Sequence, residues 1–402
     1  MQEFTQRKKI SRQNREKSNL RPVSGEVDQG GRTVWSPVPI YIGRRPTRLV
    51  QVGDVLIGSD VPVSVQSMTT ADTRKPGETV AQIQQLQEAG CDLVRVAVPD
   101  ETAAGKLAEI REAVKPPLIA DIHYSVNLAL AAIDAGMEGI RINPGTIGDH
   151  RKLESIAKSA AAAGAAVRIG INGGSLERDI KMEYKNRSPA EALVASALRN
   201  CENFEEWGCA NLKVSLKSSS PLCTIAAYRQ FAALTDYPLH LGLTEAGLPE
   251  AGTVKSAAVL GCLLLEGIGD TLRVSLTGDP VREVFVGRQI LAACGLRDET
   301  PEIISCPTCG RTEIDVVTLA REVEAEVRRL EAAGKRVAIR KIAVMGCSVN
   351  GPGEAREADI GIACGRDHGV LFKEGKIAEK LSLEQMKERL FAEIRARAEQ
   401  EC

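Results

Sequence analysis

The segment from Gly139 to Ser175, GIRINPGTIGDHRKLESIAKSAAAAGAAVRIGINGGS, contains the pattern that decides the fold. Two short runs rich in isoleucine, GIRINPG and AVRIGIN, flank an amphipathic stretch rich in alanine and charged residues. Apolar runs that alternate with amphipathic stretches are typical of strand–helix units in a parallel sheet. The segment therefore predicts one β–α–β unit whose strands each carry an arginine and run into a glycine-rich turn.

The same alternation occurs eight times between residues 62 and 294. Eight such units in this length agree with the roughly 250 residues of a closed βα barrel. An open doubly wound sheet is the alternative, but no G-x-G-x-x-G motif follows the first strand, as a dinucleotide fold requires. We therefore predict an α/β fold with an eight-stranded βα (TIM) barrel. The predicted strands are Pro62–Met68, Leu93–Pro99, Pro117–His123, Gly139–Gly145, Ala166–Asn172, Asn211–Ser218, Pro238–Glu245 and Asp270–Gly278.

The chain on either side of the barrel has a different composition. Residues 1–46 are largely polar, and their mixture of basic and acidic side chains argues against a transit peptide and predicts a flexible extension. The barrel is predicted over residues 47–297, followed over 298–402 by a small α+β domain whose core a metal centre would help to stabilise. The predicted elements of this second domain are a helix at 315–333, strands at 341–347 and 358–364, the turn-rich GVLFKEGK and a helix at 382–398.

Composition excludes several classes of protein. The 402 residues include 52 lysines and arginines against 53 aspartates and glutamates, a balance that argues against binding to nucleic acid or to an anionic membrane. The longest apolar run, Ala257–Leu265, is too short to span a bilayer. Eleven cysteines in a long chain without a recognisable export signal are expected to be free thiols or metal ligands, so we predict a cytoplasmic protein.

The predicted strands end in an unusually basic set of side chains, at the barrel face that carries the active site in βα barrels. Residues two apart on a strand share a face, so these side chains are expected to project together. Several cations in one cavity indicate a polyanionic ligand, most simply a diphosphate, unless they face outward or pair with carboxylates such as Glu245 or Asp121. The set comprises Asp121, His123, Arg141, Asn143, Arg168, Asn172, Lys213, Ser215, Lys217, Arg273 and Ser275. Mid-strand His240 is expected to be a hydrogen-bonded interior histidine.

The second predicted domain carries a cysteine pattern of its own. Cys306 and Cys309 form a C-x-x-C turn, and Cys347 follows a strand just before a Gly/Pro-rich loop. A zinc ribbon would need a second C-x-x-C pair, and no thioredoxin-like context surrounds the first, so three thiols favour an iron–sulfur cluster. The fourth ligand is either Cys364 or Glu354, and the carboxylate would be a labile ligand that a substrate oxygen can displace.

Together these motifs resemble those of the bacterial-type 4-hydroxy-3-methylbut-2-enyl diphosphate synthase family of the non-mevalonate isoprenoid pathway. The resemblance implies a two-domain iron–sulfur oxidoreductase that reductively opens and dehydrates 2-C-methyl-D-erythritol 2,4-cyclodiphosphate, with electrons from ferredoxin or flavodoxin. It rests on the two cysteine motifs and on VQSMTTADTR (65–74), ADIH (120–123), RINPG (141–145), RIGINGGS (168–175), LHLGLTEAG (239–247) and EGIGDTLRVSLT (266–277).

The resemblance also implies roles for single residues. A 4Fe-4S cluster would be held by Cys306, Cys309, Cys347 and Glu354, which disfavours Cys364. The substrate diphosphate would be bound by Arg74, Arg141, Arg168, Lys213, Arg273 and Ser275. The ring being opened would be surrounded by Asp121, His123, Asn172 and Glu245, with Glu245 or His123 assisting proton transfer.

The resemblance further implies a homodimer in which each cluster domain closes over the partner's barrel.

Two other functions agree with the residues alone. One is a lyase or transferase that acts on a phosphorylated substrate and has a structural metal domain. The other is an iron–sulfur sensor without enzymatic activity.

Overall fold

A computed structural model of the chain describes residues 26–27, 33–34, 43–297, 301–366 and 368–400. The chain divides into two compact units, Met1–Gly43 and Arg44–Cys402. In the first unit, the described residues are an antiparallel pair of two-residue strands, Glu26–Val27 and Thr33–Val34, and Gly43. The predicted flexible extension over residues 1–46 therefore lies mostly outside the described residues, and the predicted domain boundaries at 47 and 298 stay predictions.

The second unit contains the predicted barrel, with all eight strands parallel. The strands are β1 Ser64–Met68, β2 Leu93–Ala97, β3 Leu118–Ile122, β4 Gly139–Ile142, β5 Ala166–Asn172, β6 Leu212–Lys217, β7 His240–Leu241 and β8 Thr271–Leu272. Their order is β6-β5-β4-β3-β2-β1-β8-β7, and a parallel bridge between Val214 and Leu239 joins the two ends of this sheet. The amide of Val214 also donates a hydrogen bond of 2.9 Å to the carbonyl of Pro238 across that seam.

The last two strands are much shorter than predicted. Regular pairing in β7 stops after Leu241, where the predicted strand ran to Glu245, and β8 stops after Leu272. Glu245 has a φ of 56°, which turns the chain out of the extended conformation. The backbone is also crowded, since a Cβ on Gly242 would lie 2.8 Å from the carbonyl oxygen of Arg273. The predicted ends of these two strands are therefore loops.

The barrel helices begin where the sequence places helix-starting residues. Four of the longest begin with proline at the first position, where the missing N–H breaks no helical hydrogen bond. The helices of this region are α1 Pro76–Glu88, α2 Glu101–Ala104, α3 Leu107–Glu112, α4 Val126–Asp134, α5 Pro144–Ile147, α6 His150–Ala163, α7 Arg178–Glu183, α8 Pro189–Glu206, α9 Pro221–Leu234, α10 Pro249–Leu265 and α11 Pro280–Ala293.

A short antiparallel hairpin, Val50–Val52 and Val55–Ile57, packs on the amino-terminal end of the barrel. Its inward side chains are fully buried against Leu93, Ile119 and Ala166. The interior is therefore closed at this end, and the opposite end, where the basic residues were predicted, remains the open one. Among the described residues, no helix is long and apolar enough to cross a membrane.

The C-terminal part forms the predicted α+β arrangement. Its elements are β9 Glu302–Ser305, α12 Val316–Ala332, β10 Lys335–Val337, β11 Lys341–Met345, α13 Gly351–Arg356, β12 Ile360–Cys364, β13 His368–Lys373, β14 Lys376–Ser382, α14 Leu383–Ala396 and β15 Ala398–Gln400. The main sheet is mixed and has the order β9-β11-β12-β13-β14. The turn-rich stretch GVLFKEGK is in fact the β13–β14 hairpin, because Glu374 and Gly375 both have positive φ and make a two-residue turn.

Candidate active site

Four of the predicted site residues occupy one continuous row across the barrel. The strand register pairs Asp121 with Arg141, Arg141 with Arg168, and Arg168 with Lys213 on strands β3 to β6. All four side chains are buried. Four residues further along the same two strands, nearer the mouth, Asn172 pairs with Lys217. The same-face rule therefore predicted this cluster correctly, and it lies inside the barrel rather than on its outer wall.

Asp121 is the carboxylate that anchors this row. Its Oδ1 accepts a hydrogen bond of 3.1 Å from Nη1 of Arg141, and its Oδ2 lies 3.7 Å from Nε of Arg95. Burial alone would raise the pKa of Asp121, but Arg95 and Arg141 outweigh it and hold that pKa well below its usual value. Asp121 is therefore a fixed negative charge and not a proton donor.

His123 lies beside the same arginine, with its Nε2 2.7 Å from Nη1 of Arg141. A guanidinium can only donate, so Nε2 must accept and the proton of the neutral ring resides on Nδ1. Burial and the charge of Arg141 both lower the pKa of His123. At neutral pH, His123 is thus an uncharged imidazole at the edge of the cavity.

The deepest cations have no anionic partner. Arg168 donates one hydrogen bond of 2.9 Å, from Nη1 to Oγ of Ser215, while its Nε and Nη2 and the Nζ of Lys213 have no partner among the described residues. Burial lowers the pKa of Lys213 to about 7, with a further contribution from Arg168. Burial and the surrounding arginines also hold the pKa of Lys217 well below its usual value. Unpartnered buried donors of this kind indicate a site built for an anion.

Two glycines allow these long side chains to lie inside the barrel. A Cβ on Gly170 would stand 2.6 Å from Nε of Arg141, and a Cβ on Gly242 would stand 2.5 Å from Nζ of Lys217. Any larger residue at either position would displace a cation. The positions of Arg141 and Lys217 therefore explain why glycine occurs in RIGIN and in LHLGL.

On the opposite side of the mouth, Arg273 is held by a carboxylate that was not predicted from the sequence pattern. Glu283, from α11, accepts hydrogen bonds of 3.1–3.2 Å from Nε and Nη2 of Arg273. Arg95 was also not predicted from the sequence. Its guanidinium lies within the basic cluster, 3.0 Å from the sulfur of Met68. Burial lowers the pKa of Arg95 to about 10 despite the nearby Asp121.

The remaining predicted mouth residues are less enclosed. Arg74 is half exposed and pairs with Asp72 and Asp100 rather than with the buried cluster. Glu245 is exposed in the loop after β7, and Ser275 is half-buried in the loop after β8. The structure therefore brings the cationic core together and leaves these three at its rim.

Two of the predicted interior residues differ in their hydrogen bonding. Asn172 reaches the cluster, because in its hydrogen-bonded orientation its amide oxygen accepts from Nη2 of Arg141 at 3.1 Å. His240 is fully buried as expected, but only Nδ1 has a neighbour, Oγ1 of Thr271 at 3.5 Å, and Nε2 has no partner among the described residues.

The predicted cysteine ligands lie along one edge of the C-terminal sheet. Cys306 directly follows β9, and Cys347 follows the neighbouring parallel strand β11. The amide of Glu313 donates 2.8 Å to the carbonyl of Gly346, which brings the loop after Cys309 alongside Cys347. Within the described ranges, no three His, Cys, Asp or Glu side chains converge closely enough to hold a single metal ion.

The four cysteines of this domain that lie among the described residues have different surroundings. Backbone amides of Val349, Asn350 and Gly351 hydrogen-bond to the sulfur of Cys347 and lower its pKa, which favours the thiolate. Cys309 is exposed, and Cys306 is partly buried. Cys364 instead packs in the hydrophobic core of the sheet, where burial raises its pKa to about 11.

The sequence matches two family models that together span both parts of this site. Residues 47–288 match the GcpE TIM-barrel domain, and residues 302–396 match the GcpE protein C-terminal domain. Curated relatives called 4-hydroxy-3-methylbut-2-en-1-yl diphosphate synthase (flavodoxin) align over most of the chain. The relative from Desulfotalea psychrophila is 50% identical over 88% of this chain and 96% of its own length. The relative from Clostridium acetobutylicum is 52% identical over 87% and 99%.

The chain belongs to the 4-hydroxy-3-methylbut-2-en-1-yl diphosphate synthase family. The two matched regions of the synthase family include every mouth residue described above and the cysteines Cys306, Cys309, Cys347 and Cys364. Among solved structures, a dihydropteroate synthase from Stenotrophomonas maltophilia aligns with 61% of this chain and 98% of its own, at 16% identity and a TM-score of 0.46.

Proposed function

We propose that this chain catalyses the reductive ring opening and dehydration of 2-C-methyl-D-erythritol 2,4-cyclodiphosphate to 4-hydroxy-3-methylbut-2-enyl diphosphate. One observation carries the proposal: the barrel encloses more positive charge than its carboxylates neutralise. Only Asp121 and Glu283 form ion pairs with this cluster among the described residues. The basic side chains are Arg95, Arg141, Arg168, Lys213, Lys217 and Arg273.

A diphosphate supplies the missing negative charge. Arg168 and Lys213 have unpartnered nitrogens deep in the cavity, and Arg273 lies nearer the mouth, so a ligand that contacts all three must penetrate the barrel. Charge-assisted hydrogen bonds from guanidinium groups are the strongest available to a phosphate and also fix its orientation. These residues would therefore bind and orient the cyclic substrate, and Arg74 and Ser275 would contact it at the rim.

His123 and Glu245 are the groups suited to moving protons. The neutral ring of His123 carries a proton on Nδ1 and is partly exposed at the cavity edge. Glu245 lies in the loop after β7, with a φ of 56° that an L-residue adopts only when its surroundings require it. Asp121, fixed as a carboxylate between Arg95 and Arg141, would keep the arginines aligned and would not titrate in turnover.

The C-terminal domain fits the 4Fe-4S cluster that the family resemblance implies. A four-iron cluster spreads its ligands over the corners of a cube, so they need not converge on one point as the ligands of a single ion do. Cys306 and Cys347 follow neighbouring parallel strands, and the loop after Cys309 is hydrogen-bonded alongside Cys347. The surroundings of Cys347 favour its thiolate, and Glu354 is exposed on α13 just beyond it. These four residues would hold the cluster, which when bound supplies the electrons for C–O bond cleavage.

The electron donor would be flavodoxin, the donor in the relatives' names, with ferredoxin as the alternative. The protein would work in the cytoplasm, where both donors occur.

The connection between the domains supports a homodimer in which each cluster domain closes over the partner's barrel. Arg297, the last residue before the linker, forms a two-point ion pair of 2.9 and 3.0 Å with Asp92. Asp92 directly precedes β2, so this ion pair lies at the amino-terminal end of the barrel, opposite the mouth. A domain whose first strand begins only five residues later, at Glu302, reaches a neighbouring mouth more easily than its own.

Anaerobic purification tests the proposed function against its two alternatives. A brown protein that dithionite reduces and that converts the cyclodiphosphate would support it. A colourless zinc protein would favour the barrel lyase or transferase. An intact iron–sulfur protein that binds but never converts the cyclodiphosphate would favour the sensor.

A further inference from the structure

Glu283 is a buried carboxylate that lies beside the anion site without being part of the predicted binding set. Its side chain is 3% exposed, and it comes from helix α11 rather than from a strand. Besides Arg273, it accepts a hydrogen bond of 3.1 Å from the hydroxyl of Ser67 on β1 and one of 2.9 Å from the amide of Leu276. Both carboxylate oxygens are therefore fully used, and the group is fixed from three directions.

This arrangement determines which edge of Arg273 remains available. Glu283 takes Nε and Nη2 of the guanidinium, and no partner of Nη1 occurs among the described residues. Arg273 is the least buried of the six clustered cations, with 18% of its side chain exposed. A guanidinium held along one edge presents its other nitrogen in a fixed direction.

We propose that Glu283 is a positioning residue, which orients Arg273 so that its Nη1 faces the substrate diphosphate. This inference rests on the proposed function. Glu283 itself does not contact the substrate. Ser67 and the Leu276 amide fix the carboxylate, and the carboxylate fixes the guanidinium. The strand β1, the loop after β8 and helix α11 are thereby joined at the rim of the mouth.

Two roles of Glu283 predict effects of opposite sign. A negative charge beside an anion site repels the anion, so if Glu283 acted only through its charge, its neutralisation would strengthen diphosphate binding. If Glu283 orients Arg273, its replacement by glutamine puts an amide N–H against guanidinium donors, and binding becomes weaker. The direction of the change therefore separates positioning from simple electrostatics.

A double-mutant cycle on the oxidised holoenzyme tests the proposal by calorimetric titration with the cyclodiphosphate, without reductant so that no turnover occurs. Glu283→Gln is expected to weaken binding about tenfold in the wild-type background and to have no further effect in an Arg273→Ala background. Glu283→Asp and Ser67→Ala, which retain the carboxylate, should weaken binding about threefold. Iron content and melting temperature are measured for every variant.

Glu266→Gln is the matched control, because Glu266 forms the same kind of paired contact with Arg229 on the outer helices, far from the mouth. It should leave the affinity unchanged. Unchanged or tighter binding by Glu283→Gln would overturn the proposal, as would an equal loss in both backgrounds. If Glu283→Gln does not fold, full affinity of both Glu283→Asp and Ser67→Ala would overturn it instead. If Arg273→Ala itself binds normally, the diphosphate role of Arg273 in the proposed function is wrong.

Discussion

Buried lysines and arginines without carboxylate partners dominate the chemistry of the barrel interior. Lys213 has a pKa of about 7 where an exposed lysine has 10.5. Between these values the unfolded chain binds more protons than the native protein, so the contribution of Lys213 to stability rises as the pH increases from 7 to 10.5. A bound anion favours the charged amine and reverses this shift.

We therefore predict that diphosphate binding at pH 8 is coupled to proton uptake by Lys213. Calorimetric titrations in buffers of different ionisation enthalpy should detect up to about one proton more for the wild-type protein than for Lys213→Met. Lys217→Met serves as the comparison, since Lys217 is also buried with a lowered pKa. Equal uptake by wild type and Lys213→Met would mean that Lys213 does not titrate with substrate.

The cysteines of the C-terminal domain make a second prediction. Cys364 is buried in the apolar core, so Cys364→Ala should retain iron, sulfide and activity, with a loss of stability of about 1 kcal/mol. Cys347→Ser should lose the cluster, and Glu354→Gln should lose most turnover. Iron and sulfide analysis of the three variants, purified anaerobically, is the measurement. A Cys364→Ala protein without iron would instead make Cys364 the fourth ligand.

Single residues of the site were predictable where strand alternation applied. Arg141 and Arg168 were found because each lies on a strand with a second polar residue on the same face. For Arg141 this is Asn143, two positions later, and for Arg168 it is Asn172, four positions later. Arg95 was not predicted, because it stands alone among apolar residues in LVRVA. Glu283 was not predicted either, because helix periodicity does not show that a side chain reaches across to the end of a strand. Contacts between different elements leave no such local pattern.

Secondary structure was predictable wherever hydrophobic periodicity was strong. Strand β5 has the predicted bounds, Ala166–Asn172. The strands β7 and β8 are shorter than predicted. The chain turns at Glu245 after β7, and the hydrophobic pattern gives no sign of the positive φ at this residue. The β13–β14 hairpin was missed, although the Glu374–Gly375 pair is compatible with a two-residue turn.

The hairpin at the closed end of the barrel gives a prediction about stability alone. Ile57 is fully buried there, so Ile57→Ala should lower the free energy of unfolding by about 2–5 kcal/mol. The KM should not change, because the mouth is at the other end. Leu56→Ala is the matched control, since this neighbouring side chain is 43% exposed and its loss should change stability by at most about 0.5 kcal/mol. Urea unfolding and steady-state kinetics are the measurements, and a raised KM for Ile57→Ala would indicate that the two ends are coupled.

The assembled protein is expected to build each active site from two chains. Cys347→Ser removes a cluster ligand and Lys213→Ala removes a diphosphate ligand, so each should be inactive alone. After subunit exchange, half of the dimers should be mixed and each should contain one intact site, which restores about a quarter of wild-type activity. Mass spectrometry of intact dimers verifies the exchange. Verified exchange without activity would mean that each cluster domain serves its own barrel.

The fold class and the two-part organisation followed from the sequence, because eight alternating units and a separate cysteine pattern are local features. How the parts approach each other did not follow from the sequence, since it depends on contacts such as the stacking of Arg328 on Phe285 between helices α12 and α11. Residues so far apart in the chain carry no joint signal in one sequence.

The most direct test of the account is the electron balance of a single catalytic cycle. Anaerobic holoenzyme, reduced flavodoxin and the cyclodiphosphate are mixed, and product and oxidised donor are measured together by mass spectrometry and absorbance. The account predicts one 4-hydroxy-3-methylbut-2-enyl diphosphate for every two electrons transferred, with no product from Cys347→Ser and a normal yield from Glu266→Gln. Wild-type protein with a full cluster that binds the cyclodiphosphate, yet forms no product while the donor stays reduced, would contradict it.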